Sequence, residues 1–366
     1  MRSVAAIFAV VVLSLTTAVP ASAQVVDLNK AQRDKINENT VFVAGGSLGA
    51  TYNSLANDIG IVTSDDVLRV ISVTTSTGVQ NVRDLVYLRS IDLAFTNVRV
   101  LNGFAASGEL GPDLKRQIVY IAPLTTEEAH VLVQPEINSL EELKGKRVSF
   151  HIAGSSSALA GAYIFKALGI DVQVFNFPQP DAIEKMRLKE LDATVCICPK
   201  VVPAYASVKP ESGFKFVEVP YPPALEAEFL PSKLSGDDYP NLLQKDKRVQ
   251  TIGMNTILVT LNWPKGSMRY NRNAKFVEAF FSKFQEFLRP PRQAAWKTVN
   301  LAGTVPGWQR FAPAQEWLDR NREQTAAQVR TRFDQFLDAQ TKRGEAPAAA
   351  DRERLFREFQ EWMRRN

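Results

Sequence analysis

Three short loops carry most of the side chains able to do chemistry. Gly45-Gly46-Ser47-Leu48-Gly49-Ala50-Thr51-Tyr52 follows the strand-like TVFVA. Thr74-Thr75-Ser76-Thr77-Gly78-Val79-Gln80-Asn81 follows LRVISV, and Gly154-Ser155-Ser156-Ser157-Ala158 follows RVSFHI. Each loop is built from small and hydroxyl-bearing residues, and each precedes a stretch with apolar residues at helical spacing. A helix N-terminus presents unpaired amide donors and a partial positive charge, so a small anion is favoured there. For any one loop, Ser or Thr acting only as an N-cap explains the composition equally well. Three such loops in one chain favour a shared anion site.

Other chemistries fit less well. The first loop lacks the G-x-G-x-x-G spacing of a dinucleotide fold, and no G-K-[ST] follows it. GSSSA is not the G-x-S-x-G of a nucleophile elbow, and Ser212-Gly213-Phe214-Lys215 matches S-x-x-K, a pattern short enough to arise by chance. The chain has two histidines, His130 and His151, and no clustered carboxylates, so no catalytic residues, and no enzyme, are expected. Its two cysteines are Cys196 and Cys198. On a strand both would point to one face, and they read as buried apolar thiols in preference to a disulfide or a metal site. Zinc would need further ligands that neither a second C-x-x-C nor an H-E-x-x-H provides. Neither a metal nor a cofactor is expected.

At the N-terminus, Arg2, the apolar run Val4 to Val19 and Ala21-Ser22-Ala23 read as a secretory signal peptide cut after Ala23. The run is short for a bilayer span, which takes about 20 predominantly apolar residues. An exported, periplasmic protein is the expectation. The formal charge of +5 falls to +4 without Arg2. The basic residues gather in the tail with no basic-aromatic stripe, so no nucleic-acid partner is expected.

The loops need elements to position them. Strand-like TVFVA, LRVISVTTS, IDLAFTN, QIVYIAPL, AHVLVQP, RVSFHI, VQVFNF and ATVCIC alternate with helical stretches, and RVQTIGMNTILVTLNW is a long β-rich segment. After it the chain reads as mostly helical. Strands alternating with helices predict an α/β fold with mostly parallel sheets, in which ligands sit where strand ends lead into helices. At 366 residues two lobes are expected rather than one core.

The order of these loops resembles the TAXI family, the solute receptors of tripartite ATP-independent periplasmic (TRAP) transporters. GSLGATYNSLA is similar to that family's opening loop G-x-x-G-G-T-Y-Y-P-L-x. TTSTGVQNVRDLVYLRSIDLAFTN resembles its T-x-G-S-x-x-N…L…G-x-x-D-x-A segment, and TEEAHVLVQPEINSLEELKGKRVSF its E-x-x-H-x-V…L-K-G-K-R-V stretch. GSSSALAGAYIFKALGI and KELDATVCICPKVVPA stand where the family has G-S-G-T…A-x-x-I-L-x-A-x-G-L and G-x-I-D-A…G-x-P-x-x-A. The resemblance runs in order over roughly residues 40 to 300.

It implies a type II periplasmic-binding-protein fold: two α/β lobes with crossing hinge strands, near Leu124 to Val131 and Thr251 to Leu258. Residues 1–23 would be the signal peptide, 24–128 and 254–312 lobe one, 129–253 lobe two, and 313–366 a helical C-terminal extension. The ligand implied is a small carboxylate, an organic acid or amino acid. It would be held by Ser47, Gly49, Ala50, Thr51 and Tyr52, by Thr75, Thr77 and Gly78, by Asn97, and by Ser155, Ser156 and Ser157, with Cys198 and Pro199 shaping the apolar wall. Arg99, where the family often has an aspartate, is either a further carboxylate contact or a solvated helix residue. Gly78 and Ser156 also depart from the family's serine and glycine.

A monomer delivering its solute to a TRAP-type permease is expected. The rivals are a ligand sensor acting on a membrane receptor and an exported hydrolase. In the tail, Val329, Phe333, Phe336 and Leu337 form one apolar face, and Leu355, Phe356, Phe359, Trp362 and Met363 another. Either they dock on lobe one or they form a hook for a partner.

Overall fold

The alternation of β-branched runs and amphipathic stretches is realised in a computed structural model that describes residues 30–48, 50–321 and 333. The proposed signal peptide and most of the C-terminal extension lie outside the described residues. The chain falls into two units, residues 1–37 and 38–366. Helix α1 (Lys30–Glu38), which belongs to the first except for Glu38, is polar and has no buried residue.

In the second unit the strands are β1 (Thr40–Ala44), β2 (Arg69–Val73), β3 (Leu93–Asn97), β4 (Ile118–Val133) and β5 (Arg147–Ser149). There follow β6 (Gln173–Phe175), β7 (Ala193–Cys198), β8 (Lys215–Phe216), β9 (Leu230–Ser235) and β10 (Arg248–Leu261). The longer helices are α2 (Thr51–Thr63), α3 (Gly78–Tyr87), α4 (Val98–Ser107), α6 (Ser156–Ala167), α7 (Gln179–Arg187), α9 (Met268–Ser282) and α11 (Ala312–Arg320). Single helical turns form α5 (Leu114–Gln117), α8 (Pro203–Ala206) and α10 (Phe284–Phe287). Among the described residues, no helix is long and apolar enough to cross a membrane.

The strands form one sheet in the order β2-β1-β3-β10-β4-β7-β5-β6, with β9 on β10 and β8 on β4. β2, β1 and β3 are mutually parallel, as are β7, β5 and β6. Between these two parallel halves lie β4 and β10, long and antiparallel to each other and to both neighbours. β4 pairs with β10 from Ile118 to Glu128 and with β7 from Glu128 to Val133. This is the two-lobed α/β fold that the sequence predicts, but the expectation of mostly parallel sheets is corrected: antiparallel pairings outnumber parallel ones, because β4 and β10 run against every strand they pair with.

Each half buries helices on both faces of its strands, as period-two side chains require. In the first half, Val41 and Val43 pack with Leu55, Ile59, Phe276, Phe280 and Trp296 on one face, while Ala44, Ala94, Val82, Leu101 and Phe104 fill the other. In the second, Val148, Val195 and Ile197 meet Ile164 and Phe165, while Leu132 and Cys196 meet Ile183, Met186 and Tyr205. Thus α9 and α11, which come after the last strand, return to the first half.

QIVYIAPL and AHVLVQP, expected as two strands, are one continuous strand. Pro123 pairs with Ile257 at a register irregularity, where its missing amide hydrogen breaks no regular ladder. Thr125, Glu127 and Glu128 continue the strand as buried polar residues. β5 is shorter than the expected RVSFHI, and His151 beyond it takes φ 60° and turns the chain. SLEELKG contains only a 3-10 turn, Glu141–Leu143. Of the tail's apolar faces, Phe333 is helical and fully buried; the other nominated positions lie outside the described residues.

Candidate functional site

The first loop is pinned by amides and asparagines. Gly45 N–H donates to Val73 O at 3.0 Å, and Thr75 N–H to Gly46 O at 3.1 Å, joining the first two loops. Asn53 Nδ2 donates to Gly46 O at 3.3 Å and to Thr74 Oγ1 at 3.0 Å. The buried Asn81 amide donates to Ala44 O, Gly45 O and Phe95 O. A Cβ on Gly45 would lie 3.0 Å from Ala56 Cβ and 3.1 Å from Asn53 Cα, so the strand-to-helix turn admits no side chain there.

The other two loops place N-caps. Thr77 Oγ1 accepts from Gln80 N–H at 3.1 Å and Ser155 Oγ from Ala158 N–H at 3.1 Å, so these two side chains cap α3 and α6. The N-cap of α2 is Ala50, whose methyl group cannot accept a hydrogen bond. Capping therefore accounts for Thr77 and Ser155, while Ser157 Oγ accepts from Ile197 N–H at 2.8 Å.

All three helix starts open onto one cavity of about 210 Å³, below the roughly 300–1,000 Å³ of drug-sized pockets. From the first loop it is lined by Gly46, Ser47, Ala50, Thr51 and Tyr52, and from the second by Ser76, Thr77 and Gly78. The third supplies His151, Ile152, Ser155, Ser156 and Ser157. Gln179, Cys196, Ile197, Cys198, Pro199, Val202 and Pro203 close the far side, and Glu127 of β4 reaches in between. Among the described residues, no lysine or arginine lines it.

Two polar groups in the wall are unusual. Tyr52 is 8% exposed, and its hydroxyl lies among Glu127, Thr256 and Ser156 without hydrogen-bond geometry to any of them. Burial raises its pKa well above the ordinary tyrosine value. Glu127 is 3% exposed; Asn97 Nδ2 donates to its Oε2 at 3.0 Å and Thr256 Oγ1 to its Oε1 at 3.2 Å. Desolvation still wins and pushes its pKa up to about 7. The Nδ1 of His151 is likewise buried without a partner, and burial lowers that pKa.

Behind the wall, His130 Nδ1–H donates to Glu128 O at 2.8 Å, a carbonyl being able only to accept. Its Nε2 therefore accepts from Tyr239 Oη–H at 2.8 Å. Tyr239 Oη in turn accepts from the N–H of the cavity residue Val202 at 2.9 Å. Burial holds His130 down at about 4. The second acidic residue, Glu128, accepts from Lys200 N–H at 3.3 Å and, buried like Glu127, is raised to about 7.

Most residues nominated from the sequence meet in this one cavity: Ser47, Ala50, Thr51, Tyr52, Thr77, Gly78, Ser155, Ser156, Ser157, Cys198 and Pro199. Gly49 lies outside the described residues. Thr75 is turned to Asn81, to which its hydroxyl donates. Asn97 caps α4 through Val100 N–H at 3.1 Å and holds Glu127, so it stands one residue behind the wall. Arg99 is not in the lining; its Nη1 donates to both oxygens of Glu228 at 2.9 and 3.0 Å, and its guanidinium lies over the Tyr163 ring at 4.3 Å.

The reading of Cys196 and Cys198 as thiols is corrected. The two sulfurs are joined as a disulfide, with the Cα atoms 5.5 Å apart, inside the span a disulfide bridges. Residues i and i+2 of a strand share a face, and that shared face is what makes the bond possible. Among the described residues, no group of His, Cys, Asp and Glu has a metal-holding arrangement. Glu127, His151, Ser76 and Gln179 were not nominated from the sequence. The available signal was Glu127 itself, an acid inside a β-branched run, since acidic residues are rarely buried without a reason.

No curated protein matches the chain. Solved structures resemble it at low identity. A periplasmic transporter shares 13% identity, with 78% of this chain and 94% of that one covered, at a TM-score of 0.48. A protein from Bordetella bronchiseptica RB50 shares 14%, covering 76% and 80%, at 0.45. The periplasmic aliphatic sulphonate binding protein of Escherichia coli shares 16%, covering 79% and 77%, at 0.39. The family model described as the NMT1-like family matches residues 43–286, more than half of the chain. With the two-lobed sheet and the cavity at its helix starts, this match places the chain in the NMT1-like family.

Proposed function

We propose that the protein is an exported solute receptor that closes on a small carboxylate and delivers it to a TRAP-type permease. The observation that carries this reading is the convergence of three helix N-termini on one small cavity that also holds the unpartnered Tyr52 hydroxyl. Helix-terminal amides bind an anion without a basic side chain, and a buried hydroxyl without a partner gains a hydrogen bond when a ligand arrives. In this reading lobe one is residues 24–128 and 254–312, lobe two is 129–253, and β4 and β10 connect them. Ser47, Thr51, Tyr52, Thr77, Ser156 and Ser157 contact the ligand, and the Cys198-Pro199 side supplies the apolar wall. Arg99, engaged with Glu228, is left out of the ligand set. No covalent step is required; the ligand favours the closed form by binding it better than the open one. The signal peptide of residues 1–23 and a periplasmic location belong to the same proposal, as does the TAXI subfamily.

Native mass spectrometry of the freshly purified mature chain tests it. A stoichiometric small carboxylate, released on denaturation, is the expected result. A bare protein that no organic acid or amino acid stabilises thermally would refute the receptor reading.

A further inference from the structure

The cavity has a sign problem. Three helix starts favour a negative ligand, yet the one acidic side chain in the wall, Glu127, is buried beside them. Whenever that carboxyl is ionised, a second anion against it is repelled at close range in a desolvated site. Among the described residues, no lysine or arginine in the lining relieves the conflict. A ligand that brings its own positive charge does.

We propose that Glu127 is the specificity-determining residue of the site, and that the ligand class is a zwitterion: an acid bearing an ammonium group close to its carboxylate. The inference rests on the receptor reading above. Its carboxylate would take the helix-terminal amides and its ammonium the carboxylate of Glu127. The geometry favours a short spacing between the two charges, because Tyr52 belongs both to the first turn of α2 and to the surroundings of Glu127. Asn97 and Thr256 already donate one hydrogen bond to each Glu127 oxygen. They orient the carboxyl and leave acceptor capacity on both oxygens for an incoming donor. The other titratable groups in the lining or next to it on the strand do not compete for the role. Tyr52, from α2, stays protonated; His151, beyond β5, is held neutral by burial; Glu128, next on the strand, engages Lys200 N–H.

The test is isothermal titration of the full mature protein with L-amino acids, each paired with its 2-hydroxy, 2-oxo and unsubstituted counterpart on the same skeleton. At least one amino acid is expected to bind, and its deaminated counterparts more than tenfold more weakly. Glu127→Gln, which keeps the shape and removes the charge, should weaken the amino acid more than tenfold and narrow its advantage over the unsubstituted acid. A measurement on the unaltered chain stands beside the variant. Affinity for the amino acid should fall as pH drops from 8 to 5.5, by up to about tenfold per unit below 7, as a proton displaces the ammonium from Glu127. If an oxo or unsubstituted acid binds as tightly as its amino counterpart, or if affinity is flat across that pH range, the zwitterion inference is overturned while the receptor reading stands. If no acid of any kind binds, both fall.

Discussion

Tyr52 and Glu127 keep polar groups dry in the unliganded wall, and each is expected to weaken the protein that carries it. A buried hydroxyl with no partner is destabilising by about 1–3 kcal/mol. Tyr52→Phe should therefore raise the stability of the ligand-free chain, by roughly 1 kcal/mol, while lowering affinity for the solute several-fold. Paired thermal melts with and without ligand check both signs. For Glu127 the folded-state pKa of about 7 lies above the ordinary value of 4.5. Its contribution to stability is present below about pH 4.5 and is lost as pH rises through 7. Glu128 behaves in the same sense. His130, lowered to about 4 from 6.5, acts oppositely: its contribution is present above 6.5 and is lost as pH falls through 4. Comparing Glu127→Gln with the parent isolates one of these. The variant should gain on the parent by about 1.4 kcal/mol per pH unit between 4.5 and 7, in urea melts at several pH values. A constant difference would show that folding does not raise the Glu127 pKa. None of this could be read from spacing alone, because a glutamate in a β run shows neither which face it occupies nor what donates to it.

At the scale of elements, the three strand-loop-helix units were legible because their signals are local. Small residues permit the turn, hydroxyls cap, and apolar periodicity declares the helix. Contacts that join distant segments were not. Arg99 on α4 meets Glu228, 129 residues later in the chain, and no local pattern points to that partner. Asn102, one turn further along α4, donates to the same carboxylate at 3.0 Å, and the Arg99 guanidinium covers Tyr163 of α6. These contacts tie α4 to α6 and the segment before β9. Glu228 has a side chain only 9% exposed, so Arg99→Ala would leave it poorly compensated. A loss of roughly 1–3 kcal/mol is expected, and, on the two-lobe reading, a more open ligand-free form detectable as a larger radius of gyration in solution scattering. Gly78 offers a second test. A Cβ there would lie 3.0 Å from Tyr52 Cε2 and 3.3 Å from Ser156 Oγ. Gly78→Ala should weaken ligand binding by displacing Tyr52, with a stability loss of about 1–3 kcal/mol from overpacking, both measurable by calorimetry. Unchanged affinity would mean the three helix starts are less tightly interlocked than they look.

For the whole molecule, the class of fold followed from the alternation of strand and helix, while the continuity of its centre came only from the family resemblance and not from the residue pattern. Pro123 and the acidic pair Glu127-Glu128 read as a break, yet the chain runs straight through them as β4, because the polar side chains find buried partners on β10 and its neighbours. Glu128 is the residue at which β4 exchanges one set of neighbours for another, pairing with Gly253 of β10 and with Cys198 of β7. On the two-lobe reading, Glu127 stands beside the hinge, where a rotation of one half against the other moves atoms least. The carboxyl then keeps its place whether the molecule is ajar or shut, and a wrong solute is turned away before the closing stroke.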